Sequence, residues 1–150
     1  MRKALILISL ALFISACGSD LAPTDATVTG PEDASTTLAF SSSSSSIFYR
    51  PLDFVVRNEN GVALPDVEIE FFPTGFADLT DIEGNLLSNP SRFKTKTDDR
   101  GIGRVSLVFT VPGCSGTTSV VVTGGVLATV GSASKSFTST ATRTCAAPTS

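Results

Sequence analysis

From Ile47 onward, apolar and polar positions alternate with a period of two. Leu52, Phe54 and Val56 fall on one face, with Asp53 and Arg57 on the other. Val67, Ile69 and Phe71 alternate with Glu68 and Glu70, the pattern of a half-buried strand with a charged outer side. Phe93 stands between Arg92 and Lys94, and Val105, Leu107 and Phe109 alternate with Ser106 and Val108. Val120 to Val122, Leu127 to Val130 and Lys135 to Thr138 read as three further strands. No window of this region repeats at 3.6 residues, so no helix is predicted. Turn chemistry falls between the strands. Asn58-Glu59-Asn60-Gly61 joins the first two, Asp98-Asp99-Arg100-Gly101 precedes the Val105 strand, and Gly124-Gly125 separates the Val120 and Leu127 strands. Asn58 and Asp98 can bond their own backbone, and Gly61 and Gly101 tolerate positive φ. About seven short strands at this spacing predict an all-β fold, a two-sheet antiparallel sandwich.

The N-terminus follows a different pattern. Arg2 and Lys3 precede Ala4 to Ile14, which are apolar apart from Ser9. This run matches the apolar core of an export signal and falls short of the roughly 20 residues of a spanning helix. Ile14-Ser15-Ala16-Cys17 resembles the lipobox of bacterial lipoproteins. The resemblance implies a signal peptide over 1–16, cleavage before Cys17, acylation of the Cys17 thiol and amine, and anchoring by two or more chains. Gly18 stands where an Asp would imply inner-membrane retention, so the resemblance points to the outer membrane. Loss of 1–16 removes Arg2 and Lys3 and takes the net charge from −3 to −5. An acidic protein surface is not an electrostatic membrane binder, so the acyl chains are the membrane contact.

Residues 17–46 read as a lipidated Cys and a Ser-rich tether, ending in six consecutive serines from Ser41 to Ser46. Such a stretch buries too little surface to offset its ordering entropy. The competing reading makes Thr37-Leu38-Ala39-Phe40 a first strand. Residues 47–145 form the sandwich and 146–150 a tail.

The run FVVRNENGVALPDVEIEFFP, from Phe54, looks like the opening of bacterial immunoglobulin-like domains of the invasin/intimin type. Thr97-Asp98-Asp99-Arg100-Gly101 followed by GRVSLVF is similar to their second signature, Gly116 to Gly125 matches their later Gly-then-Val strand, and Phe137-Thr138 resembles the closing strand. The resemblance covers roughly Leu52 to Thr140. It implies an Ig-like sandwich with adhesion or cell-surface roles. The chain departs from the pattern in its long Thr74 to Ser91 segment, in its Cys pair, and in being a single unit where relatives are often tandem.

Composition narrows the chemistry. The chain has no His and no Trp, and 17% of its residues are charged. His-based triads and His metal sites are excluded, and an acidic balance predicts no nucleic-acid partner. With Cys17 acylated, Cys114 and Cys145 form an even pair in an exported chain, which reads as a disulfide, with free thiols as the other reading. No GxSxG elbow and no phosphate loop occurs, so no catalytic residue and no cofactor is predicted. Glu68 and Glu70 are expected to be solvated charges, and Lys94, Lys96, Arg100 and Arg104 part of a mixed surface. Asp78, Asp81 and Glu83 loosely resemble a calcium loop, but lack the regular ligand spacing and the terminal bidentate Glu, so no metal is predicted. In the Thr74 to Ser91 segment, Phe76, Leu79, Ile82, Leu86 and Leu87 either contact a partner or belong to an extra strand pair.

The expectation is therefore a non-catalytic, lipid-anchored envelope protein displaying an Ig-like module toward a protein or surface ligand. The alternative is an accessory subunit of an envelope secretion or fibre-assembly complex, which would exchange a strand through a long, flat, uncharged sheet edge.

Overall fold

The computed structural model describes residues 24–38, 43–85, 87, 91–116 and 118–145. The signal segment, residues 17–23 (Cys17 among them) and 39–42 of the tether, and the tail lie outside these residues. The described chain forms nine strands: β1 (Thr27–Thr29), β2 (Ala34–Leu38), β3 (Ser46–Arg57), β4 (Glu68–Gly75), β5 (Asp78–Thr80), β6 (Phe93–Lys96), β7 (Ile102–Val111), β8 (Val120–Val130) and β9 (Ala133–Arg143). One sheet has the order β1-β3-β7-β5 and the other β2-β9-β8-β4-β6. All pairings are antiparallel except β2 with β9. The fold is an all-β two-sheet sandwich, as the alternation predicts.

Period two determines which side chains enter the core. Leu52, Phe54 and Val56 of β3, Ile69 and Phe71 of β4, Val105, Leu107 and Phe109 of β7, and Val126, Ala128 and Val130 of β8 are all buried between the sheets. Phe54 and Phe71 meet across the layers with ring centroids 5.4 Å apart. The first sheet is packed close enough to the second that a Cβ on Gly103 would sit 2.5 Å from Ile69 Cγ2.

Four expectations are corrected. The tether does not run to residue 46. β1 and β2 lie inside it because Val28 and Leu38 are buried and the hydroxyls around them bond the strands they join, Thr27 Oγ1 to the Arg57 carbonyl and Thr29 Oγ1 to the Val55 carbonyl. β-Branched Thr suits a half-buried pleat as well as it suits a linker. The strands number nine among the described residues rather than seven, β5 being the third addition. Gly124-Gly125 is not a turn but the middle of β8. The glycines are there for close approach, since a Cβ on Gly124 would lie 2.7 Å from the Ala77 Cβ and one on Gly125 2.3 Å from the Phe137 carbonyl oxygen. The β8–β9 turn instead falls at Gly131, whose φ is 56°. Finally, β9 extends to Arg143, well past Thr138.

The sandwich has two distinct ends. At one, β3 finishes at Arg57 and the turns around Asn58, Asp98 and Gly131 cluster. At the other lie Ser46, Val111, Val120 and Arg143, the outer ends of β3, β7, β8 and β9.

Candidate functional site

The two predicted turns assemble by the same device. Asn58 Oδ1 accepts the Asn60 and Val62 amides at 3.0 and 2.9 Å, and Gly61 takes φ 75°. Asp98 Oδ1 accepts the Arg100 and Ile102 amides at 2.9 and 3.0 Å, and Gly101 takes φ 72°. A Cβ on Gly101 would also press to 2.7 Å from the Val56 carbonyl, which binds this turn to β3. The Ile102 amide, then the Arg100 amide and the Arg104 guanidinium, hold the Asp98 carboxyl below its ordinary range. Nearby, Thr97 Oγ1 accepts the Val67 amide and donates to the Leu64 carbonyl, tying the Pro65 step to β6. These residues build a scaffold and hold no reactive group.

The carboxylates of β4 form a charge ladder with β6. Glu70 pairs with Arg92 and Lys94, Glu68 with Lys94, and Asp66 with Lys96. The Arg92 and Lys94 hydrogen bonds pull the Glu70 carboxyl down, and Glu68 and Glu70 hold the Lys94 ammonium up. A carboxylate lowered in this way is a poor proton donor at neutral pH. Arg104 likewise bridges Asp53 and Asp98. The basic residues thus belong to a mixed surface.

Cys114 and Cys145 form a disulfide with Cα atoms 5.7 Å apart. The bond joins the β7–β8 connection to the chain just beyond β9. Arg143, fully buried, donates from Nη1 to the Ser44 carbonyl at 2.6 Å and from Nη2 to Ser46 Oγ. Gly113 lies against the Ser43 backbone, where a Cβ would be 2.0 Å from the Ser43 carbonyl oxygen. The end of the serine run is therefore docked onto the disulfide-bonded end of the sandwich, which its composition does not signal.

The Thr74 to Ser91 segment divides. Leu79 is 1% exposed on β5, and Leu87 packs against the core, so neither is a partner contact. Period two explains Leu79: β5 pairs with β7 and directs Leu79 to the inner face beside Leu107. Phe76, at 81% exposure, and Ile82 remain outside. Leu86 lies outside the described residues. The calcium arrangement does not assemble. Asp81 Oδ1 accepts the Asn85 amide and Oδ2 the Asn85 side-chain amide, which also lowers its carboxyl, while Asp78 stands exposed on β5. Among the described residues, no group of three or more His, Cys, Asp or Glu side chains could hold a metal ion.

Exposed apolar side chains stand at both ends: Val62 in the Asn58 turn, and Ile47, Tyr49, Phe76 and Val121 toward the disulfide-bonded end, on both sheets. Ile47 and Tyr49 point outward from β3, Val121 outward from β8, and Phe76 stands where β4 passes β8, its amide donating to the Thr123 carbonyl. Alternation alone marks Ile47 and Tyr49 as outward-facing, opposite Phe48 and Leu52.

No family model matches this chain, and no curated protein matches it. Among solved structures, it is similar to a mutant of the CFA/I adhesin CfaE of enterotoxigenic E. coli, with 14% sequence identity and a TM-score of 0.42. The alignment covers 83% of this chain and 49% of that one, so the chain spans about half the length of the adhesin it matches.

Proposed function

We propose that this chain is a non-catalytic, lipid-anchored envelope protein that displays its sandwich for adhesion or cell-surface structure. The reading takes Cys17 as the acylated residue that follows an export signal. One observation carries it: the chain enters the sandwich at one end, which leaves the other end free to face away from an N-terminal anchor. β1 starts beside Arg57, so residues preceding it join the sandwich at the turn end. The disulfide-bonded end then faces away from an N-terminal anchor, with Phe76, Val121, Ile47 and Tyr49 exposed toward it, while Val62 is exposed at the turn end.

The sheet edges support display over strand exchange. β1 and β5 are three residues each, and β6 carries Lys94 and Lys96. β2 is uncharged but five residues long. Beyond β1, the edge of β3 is uncovered, and its alternation is informative. The Val56 amide donates toward Gly101 on the β7 side, so odd-numbered residues of β3 turn their backbone groups to the open edge. Pro51 is one of these and has no N–H to offer, and Asp53 adds a charge. Both features blunt an edge against pairing.

Protease treatment of intact cells, with mass spectrometry of the N-terminal peptide, tests the reading. Release of the domain from unbroken cells, with Cys17 acylated, is the expected result. Acylation with full protection would favour the envelope-subunit alternative. An unmodified Cys17 in a soluble product would overturn the anchor.

A further inference from the structure

One residue of β3 breaks the rule that places the others. The inward-facing positions of the strand are Ser46, Phe48, Arg50, Leu52, Phe54 and Val56. Arg50 is the charged member of this series, and its side chain points between the layers. Nη1 donates to Ser139 Oγ at 3.3 Å, and the guanidinium carbon lies 5.7 Å from the centre of the Phe137 ring. Ser139 and Phe137 are themselves inward-facing on β9, at 1% and 2% exposure. The side chain is half-buried and none of its nitrogens is buried without a partner, so its remaining donors reach the open space between the layers. Arg92, Lys94, Lys96 and Arg104 have carboxylates beside them, while Arg57, Arg100 and Lys135, like Arg50, pair with none among the described residues. Among the described residues, no carboxylate pairs with Arg50, and its donors beyond the Ser139 bond have no protein partner.

The fold leaves room for a counter-charge there. β1 covers β3 only at Val55 to Arg57, then the chain crosses to the other sheet as β2. Between the uncovered part of β3 and β2, the sandwich opens into a cavity of about 180 Å³. Thr36, Phe48, Arg50, Phe109, Ser139 and Ala141 line it. The Phe48 and Phe109 rings stack at 5.7 Å and form an apolar wall, Thr36 and Ser139 contribute hydroxyls, and no acidic residue lines it.

We propose that this inter-sheet cavity binds a carboxylate, with Arg50 as the anion-binding residue. A guanidinium presents paired donors in the geometry of a carboxylate, and low local polarity strengthens that bond. The aromatic wall then packs the body of the ligand, and the hydroxyls engage polar groups at its rim. Two sources of ligand share this chemistry, a sugar acid and the C-terminus of a peptide. The site stands whether or not the chain is membrane-anchored.

The test is a titration of the isotope-labelled full chain, followed by amide chemical shifts. The probes are sodium D-glucuronate and N-acetyl-L-leucine, with D-glucose and N-acetyl-L-leucine amide as their uncharged counterparts. One acid is expected to shift the Thr36, Phe48 and Ser139 amides saturably while its counterpart does not, and the acid that binds identifies the source. Arg50→Gln is expected to weaken that binding by about tenfold or more. The proposal is overturned if neither acid moves these amides, if the uncharged counterpart binds equally well, or if Arg50→Gln binds like the wild type. The comparison of acid with counterpart is made on the unaltered protein, so it decides even where Arg50→Gln does not fold.

Discussion

The two ends of the sandwich are held together by different physics. At the turn end, Asn58 and Asp98 each satisfy two amides within four residues, and Gly61 and Gly101 supply the φ values that their own turns need. The bonds that shape each turn are local, although Thr97 ties in Leu64 and Val67 from 33 and 30 residues away. At the opposite end, Ser44, Ser46, Cys114, Arg143 and Cys145 come from three distant stretches of chain. Its bonds span sequence separations of 99, 97 and 31 residues. Local contacts form early and cheaply, whereas distant ones must first offset loop-closure entropy. The inward Arg50 and the exposed Ile47 and Tyr49 also lie toward this non-local end.

The disulfide is where that contrast is expected to be largest. In the chain-entropy description, a closed loop of this size stabilises the fold by roughly 3–4 kcal/mol. Reduction, or Cys114→Ala with Cys145→Ala, should lower the unfolding free energy by about that amount, measured by denaturant titration with and without reductant. Hydrogen exchange locates the effect. Amides around Ser44, Ser46 and Val120 are expected to lose protection first, while Val62, Arg100 and Ile102 keep theirs until global unfolding. Equal loss at both ends would mean that the sandwich opens as one unit and that the ends do not differ in stability.

Gly125→Ala probes the same contrast in the middle of the sheet. Its Cβ would meet a backbone carbonyl at 2.3 Å, which cannot swing away as a side chain can. Overpacking of this kind costs about 1–3 kcal/mol. Gly61→Ala meets no atom within 4 Å and is opposed by its φ of 75° alone, so it should cost about 1 kcal/mol. Thermal unfolding of the two variants in parallel separates crowding from conformational strain.

How legible each part was in the sequence follows from the same division. The core faces of β3, β4 and β7 and the turns at Asn58 and Asp98 rest on period two and on residues a few positions apart. The short edge strands were hidden because three to five residues of mostly Ser and Thr look the same in a tether and on a half-wet pleat. Gly124-Gly125 reads as a turn since Gly-Gly most often is one, and only the approach of Ala77 and Phe137 reveals the other use. Leu79 could be read either as a partner contact or as part of an extra strand, and β5 decides for the strand, whose partner β7 lies more than twenty residues away. Arg50 was within reach: it shares the parity of Leu52 and Phe54, and a charge on that face was already visible.

Asp98 and Asn58 offer a smaller and cleaner comparison, since they make the same turn with and without a charge. The Ile102 amide, the Arg100 amide and Arg104 lower the Asp98 carboxyl from its ordinary 3.8. A carboxyl with a lowered folded value stabilises the protein at pH above its unfolded value, and that contribution is lost as pH falls through the folded one. Asp98→Asn keeps an oxygen that can accept both amides, as Asn58 does, but removes the titration and the ionic contact with Arg104. The variant should be slightly less stable than the wild type at pH 7, with the difference shrinking as the pH is lowered below 4. Glu70 and Asp81 are lowered as well, so the acid limb of the stability curve becomes shallower rather than flat. Unfolding midpoints from pH 7 down to pH 2, taken for both proteins, measure this. Parallel curves over the whole range would mean that the turn end relies on its amide bonds alone, and that the charge of Asp98 adds nothing to them.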